Sequence, residues 1–172
     1  MSEGRTAVPY DARWAELAAH ECGRLATVSG AAEHVGTTAL PGSPGRPVID
    51  LLVGVRLLDR RSGFVLGALE AQGYERAPSR MPGALGLRKR GATDFDLYLV
   101  ELGGREWKHA LALRDYLRHH TDDARSYARA LKEAQAAASA TDDLAGYDAA
   151  KAGLIAMFGS RADQWRLSHP RA

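Results

Sequence analysis

Residues 33–53 read EHVGTTALPGSPGRPVIDLLV, and this stretch predicts two strands joined by an ordered loop. Short apolar runs with β-branched residues, bounded by glycine and proline, are typical of buried strands, and two such runs cover 31–35 and 48–55. Between them, prolines and glycines exclude regular secondary structure and favour a fixed connection. The stretch therefore predicts the centre of a sheet.

A helix is predicted before these strands, and further elements follow them. Trp14, Leu17 and Leu25 recur on one face of a helix over 11–27, with Asp11 placed to cap its first turn. Helices and strands alternate first and helices alone follow, so the pattern predicts a sheet-and-helix core with a helical C-terminal segment. The remaining elements are predicted at 57–72 (a helix that ends at Gly73), from Tyr74 onward, at 85–89 and 95–101 (strands), and at 106–118, 123–138 and 144–158 (helices).

The composition limits the size and setting of this protein. With 172 residues and 45% hydrophobic content, the chain predicts a single domain, with its sheet at about 30–101 and its helical part at about 105–160. A single cysteine excludes an internal disulfide and predicts a reducing, cytoplasmic setting. The net charge of +2 argues against nucleic acid as the main partner. No window approaches the roughly 18 apolar residues of a membrane span, and no pattern indicates the oligomeric state.

A phosphate-binding turn is one interpretation of residues 36–38. Gly36 follows a predicted strand, so its backbone can approach a ligand closely, and the hydroxyls of Thr37 and Thr38 can bind phosphate oxygens. The alternative is a tight turn with a threonine cap. Asp50 favours the first interpretation, because a carboxylate inside an apolar strand is costly unless it is paired, hydrogen bonded or metal bound. Its alternative role is to pair with Arg46 or another buried cation.

A second polar row is predicted on the last strand. Asp94, Asp96 and Tyr98 alternate with apolar residues, so they share one face, which lies toward solvent or toward a cleft. Arg88 and Arg90 share a strand face and suit a phosphate or a carboxylate, although a solvated face is an equal alternative. They belong to a stretch with five basic residues and no acid, namely Arg76, Arg80, Arg88, Lys89 and Arg90.

Combined motifs resemble the GrpB-like family of the nucleotidyltransferase-fold superfamily. The superfamily signature, a glycine and a small hydroxyl residue before a strand with carboxylates, is similar to Gly36-Thr37 followed by Asp50. The family resemblance runs from about Val8 to about Met157. The segments that carry it are Val8-Pro9-Tyr10-Asp11-x-x-Trp14, Glu33-His34-Val35-Gly36-Thr37-Thr38-Ala39-x-Pro41-Gly42, Pro47-Val48-Ile49-Asp50, Leu69-Glu70-x-x-Gly73-Tyr74, Arg88-Lys89, Trp107-x-x-x-Leu111-x-Leu113-Arg114-Asp115-Tyr116-Leu117-Arg118, Tyr127-x-x-x-Leu131-Lys132 and Tyr147-x-x-x-Lys151.

The resemblance implies an α/β protein of the α+β type, with a nucleotidyltransferase-like mixed sheet flanked by helices and a cleft over Asp50. It implies a nucleotide (ATP-like) or another phosphorylated small molecule as the ligand and Mg²⁺ as the cofactor, with Asp50 and Asp96 as metal ligands. The catalytic candidates are Asp50, Asp96 and Tyr98. The ligand-binding candidates are Gly36, Thr37, Thr38, Arg46, Arg88, Lys89, Arg114, Tyr147 and Lys151. For the last two, the alternative is a surface lysine beside a partly buried tyrosine.

Two departures bear on the metal. Leu52 stands where active members of the superfamily carry a second acid, a loss that GrpB-like proteins share. Phe95-Asp96-Leu97-Tyr98 stands where the family carries a His-His-Leu-His segment. Two-metal phosphoryl transfer needs several carboxylates around ions about 4 Å apart, so Asp50 and Asp96 are expected to hold at most one ion.

Three functions remain open at this point. The leading hypothesis is a nucleotidyltransferase-fold enzyme that binds a nucleotide or another phosphorylated small molecule in a specialised biosynthetic pathway. The second is a ligand-binding or regulatory module without transfer activity, which binds independently of magnesium. The third is acid-base chemistry on a non-nucleotide metabolite, with Asp50, Asp96 and Tyr98 as proton carriers.

Overall fold

A five-stranded mixed sheet forms the centre of the computed structural model, which describes residues 7–56, 62–141 and 144–169. Along the sheet the strands lie in the order β1-β2-β5-β4-β3; β2 and β5 are parallel, and the other neighbours are antiparallel. The predicted strands are confirmed. Their bounds are β1 (Ala31–Val35), β2 (Val48–Val55), β3 (Glu75–Ala77), β4 (Leu85–Lys89) and β5 (Asp94–Glu101).

The helices confirm the predicted architecture of a mixed sheet flanked by helices with a helical C-terminal segment. Residues 57–61, predicted as the start of the second helix, lie outside the described residues. The last helix continues beyond the predicted end at 158, because Phe158, Ala162 and Trp165 extend its inward face by further turns. The bounds are α1 (Arg13–Ser29), α2 (Ser62–Ala71), α3 (Arg105–His119), α4 (Thr121–Thr141) and α5 (Leu144–Ser168), with a short 3₁₀ helix at Thr37–Ala39.

Separate groups of helices cover the two faces of the sheet. α1 and α2 pack on one face, where Leu51, Leu97 and Leu99 are fully buried. Burial of this kind stabilises a protein by about 1.5–3 kcal/mol for each leucine. α3 packs on the other face through Leu111, which contacts the cluster around Leu52, and α4 and α5 pack against α3. The second face therefore lies beneath the C-terminal helices.

A buried acid ties α1 to the sheet. The Glu21 carboxylate is 3% exposed and accepts hydrogen bonds from Tyr74 Oη at 2.9 Å, Lys89 Nζ at 2.8 Å and Arg24 Nη1 at 2.9 Å. Burial by itself raises the pKa of Glu21, but the hydrogen bonds from Lys89 and Tyr74 outweigh it and hold the pKa below its ordinary value. The ionised carboxylate is thus the form that the fold stabilises.

Glu21→Gln is expected to lower the free energy of unfolding by about 2 kcal/mol at neutral pH, because it removes the charge that Lys89 and Arg24 face. A lowered folded-state pKa contributes stability above the unfolded-state value, and that contribution is lost as pH falls through the folded-state pKa. The difference between wild type and variant should therefore shrink in acid. Urea titrations followed by tryptophan fluorescence measure it, with exposed Glu133→Gln as the control; an equal loss in both variants would contradict the assignment.

Candidate functional site

Asp50 and Asp96 lie side by side on the sheet face beneath the C-terminal helices. The parallel register pairs Asp50 with Asp96 and Leu51 with Leu97. Because Leu51 and Leu97 point into the core beneath α1, the two carboxylates point to the opposite face. The predicted alternation of β5 is thereby confirmed, and its polar row, including Tyr98, lies toward the C-terminal helices.

Gly36 brings the loop backbone directly against Asp50. Its φ is +76°, a conformation that favours glycine, and a Cβ at this position would collide with Asp50 Oδ2. Thr37 follows and lines the cleft beside Gly45, where a Cβ would in turn meet the Thr37 hydroxyl. The backbone of this turn therefore lies against the Asp50 carboxylate, and its approach to a phosphate stays a prediction.

Thr38 and Arg114 lie beside the cleft in packing roles. The buried Thr38 hydroxyl is 2.9 Å from His34 Nε2, and burial lowers the pKa of His34 to about 4, which keeps the imidazole neutral. Arg114 donates to Glu33 Oε2 at 2.7 Å, to Asp115 Oδ1 at 2.7 Å and to the His34 carbonyl at 3.2 Å. These bonds fix β1 to α3, so the structure does not bring Arg114 to Asp50.

Asp50 is a buried acid that faces cations. It is 8% exposed, and Tyr98 Oη donates to its Oδ1 at 3.4 Å. Burial raises the pKa of the Asp50 carboxyl, while the nearby charges of Lys151 and Arg46 oppose that rise. Burial also raises the pKa of Tyr98, so its hydroxyl remains a hydrogen-bond donor at physiological pH.

Asp96 is engaged by arginines on both of its oxygens. Arg90 Nη2 donates to Oδ1 at 2.6 Å, and Arg80 Nη1 lies 3.7 Å from Oδ2. Arg90 is held in place by a second bond to the Phe95 carbonyl at 2.8 Å. Both oxygens of the Asp96 carboxylate therefore face guanidinium groups.

The cleft lies between the Gly36 loop, β2 and the two C-terminal helices. Its described lining carries three cations and one acid: Arg46, Lys132 and Lys151 face the space beside Asp50. None of these cations forms an ion pair with a described acid. The enclosed volume is about 20 Å³, room for about one water molecule, so the cleft has to widen for a phosphorylated ligand.

Tyr147 and Lys151 lie one helical turn apart and both line this cleft. Both side chains thus lie toward the cleft, and their binding of a ligand stays a prediction. Burial lowers the pKa of Lys151, while the charge of Asp50 acts in the opposite direction. Burial likewise raises the pKa of Tyr147, whose hydroxyl is therefore a donor at neutral pH.

Arg88 and Lys89 lie on opposite faces of the sheet. Arg88 is exposed and stands across from Asp96, on the same face as the cleft. Lys89 stands across from Phe95 and binds Glu21 beneath α1, with its Nζ 5.6 Å from the centre of the Phe95 ring. Because consecutive strand residues point to opposite faces, these two cations cannot act on one ligand as a pair.

Four further residues at the cleft are not among the sequence-based site candidates. Arg80 reaches Asp96, and Lys132, Tyr127 and Gln135 approach Asp50 from α4. The segment Tyr127-x-x-x-Leu131-Lys132 carries a signal, since a spacing of one turn places Tyr127 and Leu131 on the same helix face. Gln135 continues that face by one more turn, and its buried Nε2 has no hydrogen-bond partner.

The residues present do not fit a two-ion magnesium site. Leu52 is fully buried among apolar side chains, and both oxygens of Asp96 already face arginines. Within the described residues, no group of three or more histidine, cysteine, aspartate or glutamate side chains could hold a metal ion. Magnesium prefers six oxygen ligands in a near-octahedral shell, and Asp50 supplies one carboxylate beside two cations. Magnesium binding by Asp50 and Asp96 stays a prediction.

Fold and site define an α/β protein with a mixed sheet flanked by helices, whose cleft carries three cations and one acid among its described lining residues. The family model described as "GrpB protein" matches residues 6–161, and the chain belongs to that family. This confirms the resemblance found in the sequence motifs.

Relatives support the same assignment. A UPF0157 protein of Streptomyces coelicolor is 35% identical over 159 residues, which make up 89% of this chain and 81% of the relative. The UPF0157 protein YqkA of Bacillus subtilis is 32% identical over 171 residues, 95% of this chain but 48% of YqkA. The chain thus spans about half the length of that second relative.

A solved structure shows the same fold. The crystal structure of conserved protein GrpB from Enterococcus faecalis has a TM-score of 0.76 at 24% identity, covering 92% of this chain and 99% of that one. At this identity the likeness establishes the fold alone. Within the described residues, no helix combines the length and the apolar character that crossing a bilayer requires.

Proposed function

We propose that this chain binds a nucleotide or another phosphorylated small molecule in the cleft beside Asp50, as an enzyme of the nucleotidyltransferase fold. One observation carries the proposal: Arg46, Lys132 and Lys151 line one cleft and form no ion pair with a described acid. Asp50 offsets only part of the positive charge of these three cations, and an anionic ligand would neutralise the remainder. Phosphate groups supply the charge and the acceptor oxygens that such a set recognises.

The arrangement also gives the site an orientation. Thr37 and Asp50 line one side of the cleft, while Lys132 and Lys151 approach from the facing helices. A phosphorylated group between these walls would place its reacting atoms near Asp50 and Tyr98, the two proton-bearing candidates that touch each other. Asp50→Asn is therefore expected to remove turnover if the protein is a transferase.

A second candidate function is ligand binding or regulation without transfer. It is favoured by the sealed position of Leu52 and by the two arginines on Asp96, which leave few carboxylate oxygens for catalysis. The two functions differ in one observable, because an enzyme consumes its bound ligand and a binding module releases it unchanged. Acid-base chemistry on another metabolite is the third, supported by the contact between Tyr98 and Asp50.

A thermal-shift screen tests the proposed ligand class. Nucleoside triphosphates, sugar phosphates and unphosphorylated analogues are compared, and a phosphorylated ligand at 100 times its dissociation constant should stabilise the protein by about 2.7 kcal/mol. Lys151→Met should weaken that stabilisation, because it removes a cationic donor and keeps the apolar stem. Exposed Lys108→Met is the matched control. A screen in which only unphosphorylated compounds stabilise the protein would refute the proposal, and chromatography of the bound ligand distinguishes turnover from binding.

A further inference from the structure

We infer that the cleft binds phosphate groups with its own cations and hydrogen-bond donors in place of a divalent metal ion. In this arrangement the negative charge of Asp50 repels the phosphate and does not bind a metal ion. This rests on the proposed function and specifies how the same site recognises its ligand. Three features carry it: the charge of the cleft lining, the state of the carboxylates and an unpaired amide on α4.

The charge of the cleft suits a metal-free anion. Among the described lining residues, the three cations Arg46, Lys132 and Lys151 outweigh the single acid Asp50, which gives a surplus of two positive charges. A magnesium ion placed at Asp50 would face the Lys151 ammonium and the Arg46 guanidinium, whose charges already act on that carboxylate. Repulsion from these positive charges disfavours the metal ion, and their attraction favours a phosphate without bound metal.

The carboxylates are committed to other partners. Asp96 Oδ1 and Oδ2 face Arg90 and Arg80, so a metal at Asp96 would first have to displace two guanidinium groups. Asp50 Oδ1 accepts from Tyr98, and Oδ2 lies against the Gly36 backbone. Neither acid presents a free pair of oxygens to a dication, which prefers several oxygen ligands at once.

Gln135 supplies a donor that the fold leaves unused. Its Nε2 is buried, has no hydrogen-bond partner and belongs to a side chain that lines the cleft. A buried amide donor without a partner is destabilising, and a phosphate oxygen in the cleft would satisfy it. Gln135 and Lys132 are therefore binding residues in addition to Arg46 and Lys151.

Isothermal titration of the full chain with inorganic tripolyphosphate, in EDTA and in excess magnesium chloride, tests the inference. We expect binding in EDTA that is as tight as in magnesium or tighter. Binding in magnesium alone would overturn the inference and leave the proposed function standing, since a phosphorylated probe would still bind. The absence of binding in both buffers would overturn the inference and the proposed function together.

Three variants sharpen the result. Lys151→Met should weaken binding in EDTA by about tenfold or more, with Lys108→Met unchanged. Asp50→Asn should strengthen it several-fold, because a like charge facing the ligand is removed; a metal-binding role for Asp50 predicts the opposite sign.

Gln135→Met should weaken tripolyphosphate binding and raise the unfolding midpoint of the unliganded protein, because it removes an unpaired buried donor. A purely structural glutamine would not change the two measurements in opposite directions. If Gln135→Met binds tripolyphosphate as tightly as wild type does, the assignment of Gln135 as a binding residue is wrong. If Asp50→Asn binds it more weakly in EDTA, the role of Asp50 is wrong.

Discussion

Leu52→Asp is expected to lower the free energy of unfolding by about 4 kcal/mol or more and to create no magnesium site. Leu52 is fully buried. It packs in a cluster beneath α3 with Val35, Tyr98, Val100 and Leu111. The substitution both removes a buried leucine and places a carboxyl group among the apolar side chains of this cluster. The second acid of active superfamily members thus cannot be restored by one change, since the surroundings have become core.

The pH dependence of that loss identifies its cause. A carboxyl buried at position 52 has a folded-state pKa above its unfolded-state value, so the variant is least destabilised in acid and loses stability as pH rises through the two values. Leu52→Asn has similar size without the charge and should show no such trend, and Leu52→Met should cost less than about 1.5 kcal/mol. Urea titrations between acidic and neutral pH measure all three. A stable Leu52→Asp protein that binds magnesium would contradict this account of the core.

Gly36→Ala is expected to cost about 3 kcal/mol of stability and to disturb ligand binding. The residue has φ +76° and ψ −171°, a region populated almost entirely by glycine, and such backbone strain costs of order 1–3 kcal/mol. In addition, the new Cβ would collide with Asp50 Oδ2, so the carboxylate would have to move. Both the free energy of unfolding and the affinity for the ligand should therefore fall.

Gly42→Ala separates these two effects. Gly42 also has a positive φ, +78°, but a Cβ there would meet no atom within 4 Å. Gly42→Ala should therefore carry a backbone cost from its positive φ and leave the site intact. We expect Gly36→Ala to lose more stability in urea titrations and to lose affinity for the phosphorylated ligand, while Gly42→Ala keeps that affinity. If both variants lowered the affinity equally, the contact between Gly36 and Asp50 could not be the cause of the loss in Gly36→Ala.

Much of the fold follows from local sequence. The β-branched runs around the loop predict β1 and β2, and the alternation of Asp96 and Tyr98 with Phe95 and Leu97 predicts which side chains share a face of β5. These predictions succeed because strand geometry fixes the direction of successive side chains without reference to the rest of the chain. The predicted end of α5 at 158 is wrong, because Phe158 and Ala162 continue the buried face of the helix beyond that point.

Local sequence signals likewise predict some of the candidate site residues and not others. Gly36, Thr37 and Asp50 could be found from sequence, because a glycine turn and a carboxylate in an apolar strand are local signals. Lys89 could have been separated from Arg88 by the same alternation, since neighbouring strand residues face opposite sides. The packing role of Arg114 could not be predicted from local sequence, because its partners Glu33 and His34 come from β1, about 80 residues earlier in the chain.

Local signals in the sequence suffice to predict the strands, the loop between them and the acid on β2. The packing of distant elements adds that β5 lies beside β2, that arginines engage Asp96, and that Lys132, Gln135 and Lys151 reach the cleft. The physical reason is that propensity and periodicity act within a few residues, whereas the partner of a side chain depends on which distant elements bury their apolar faces together. The charge of this cleft is therefore a property of how α4 and α5 pack over the sheet.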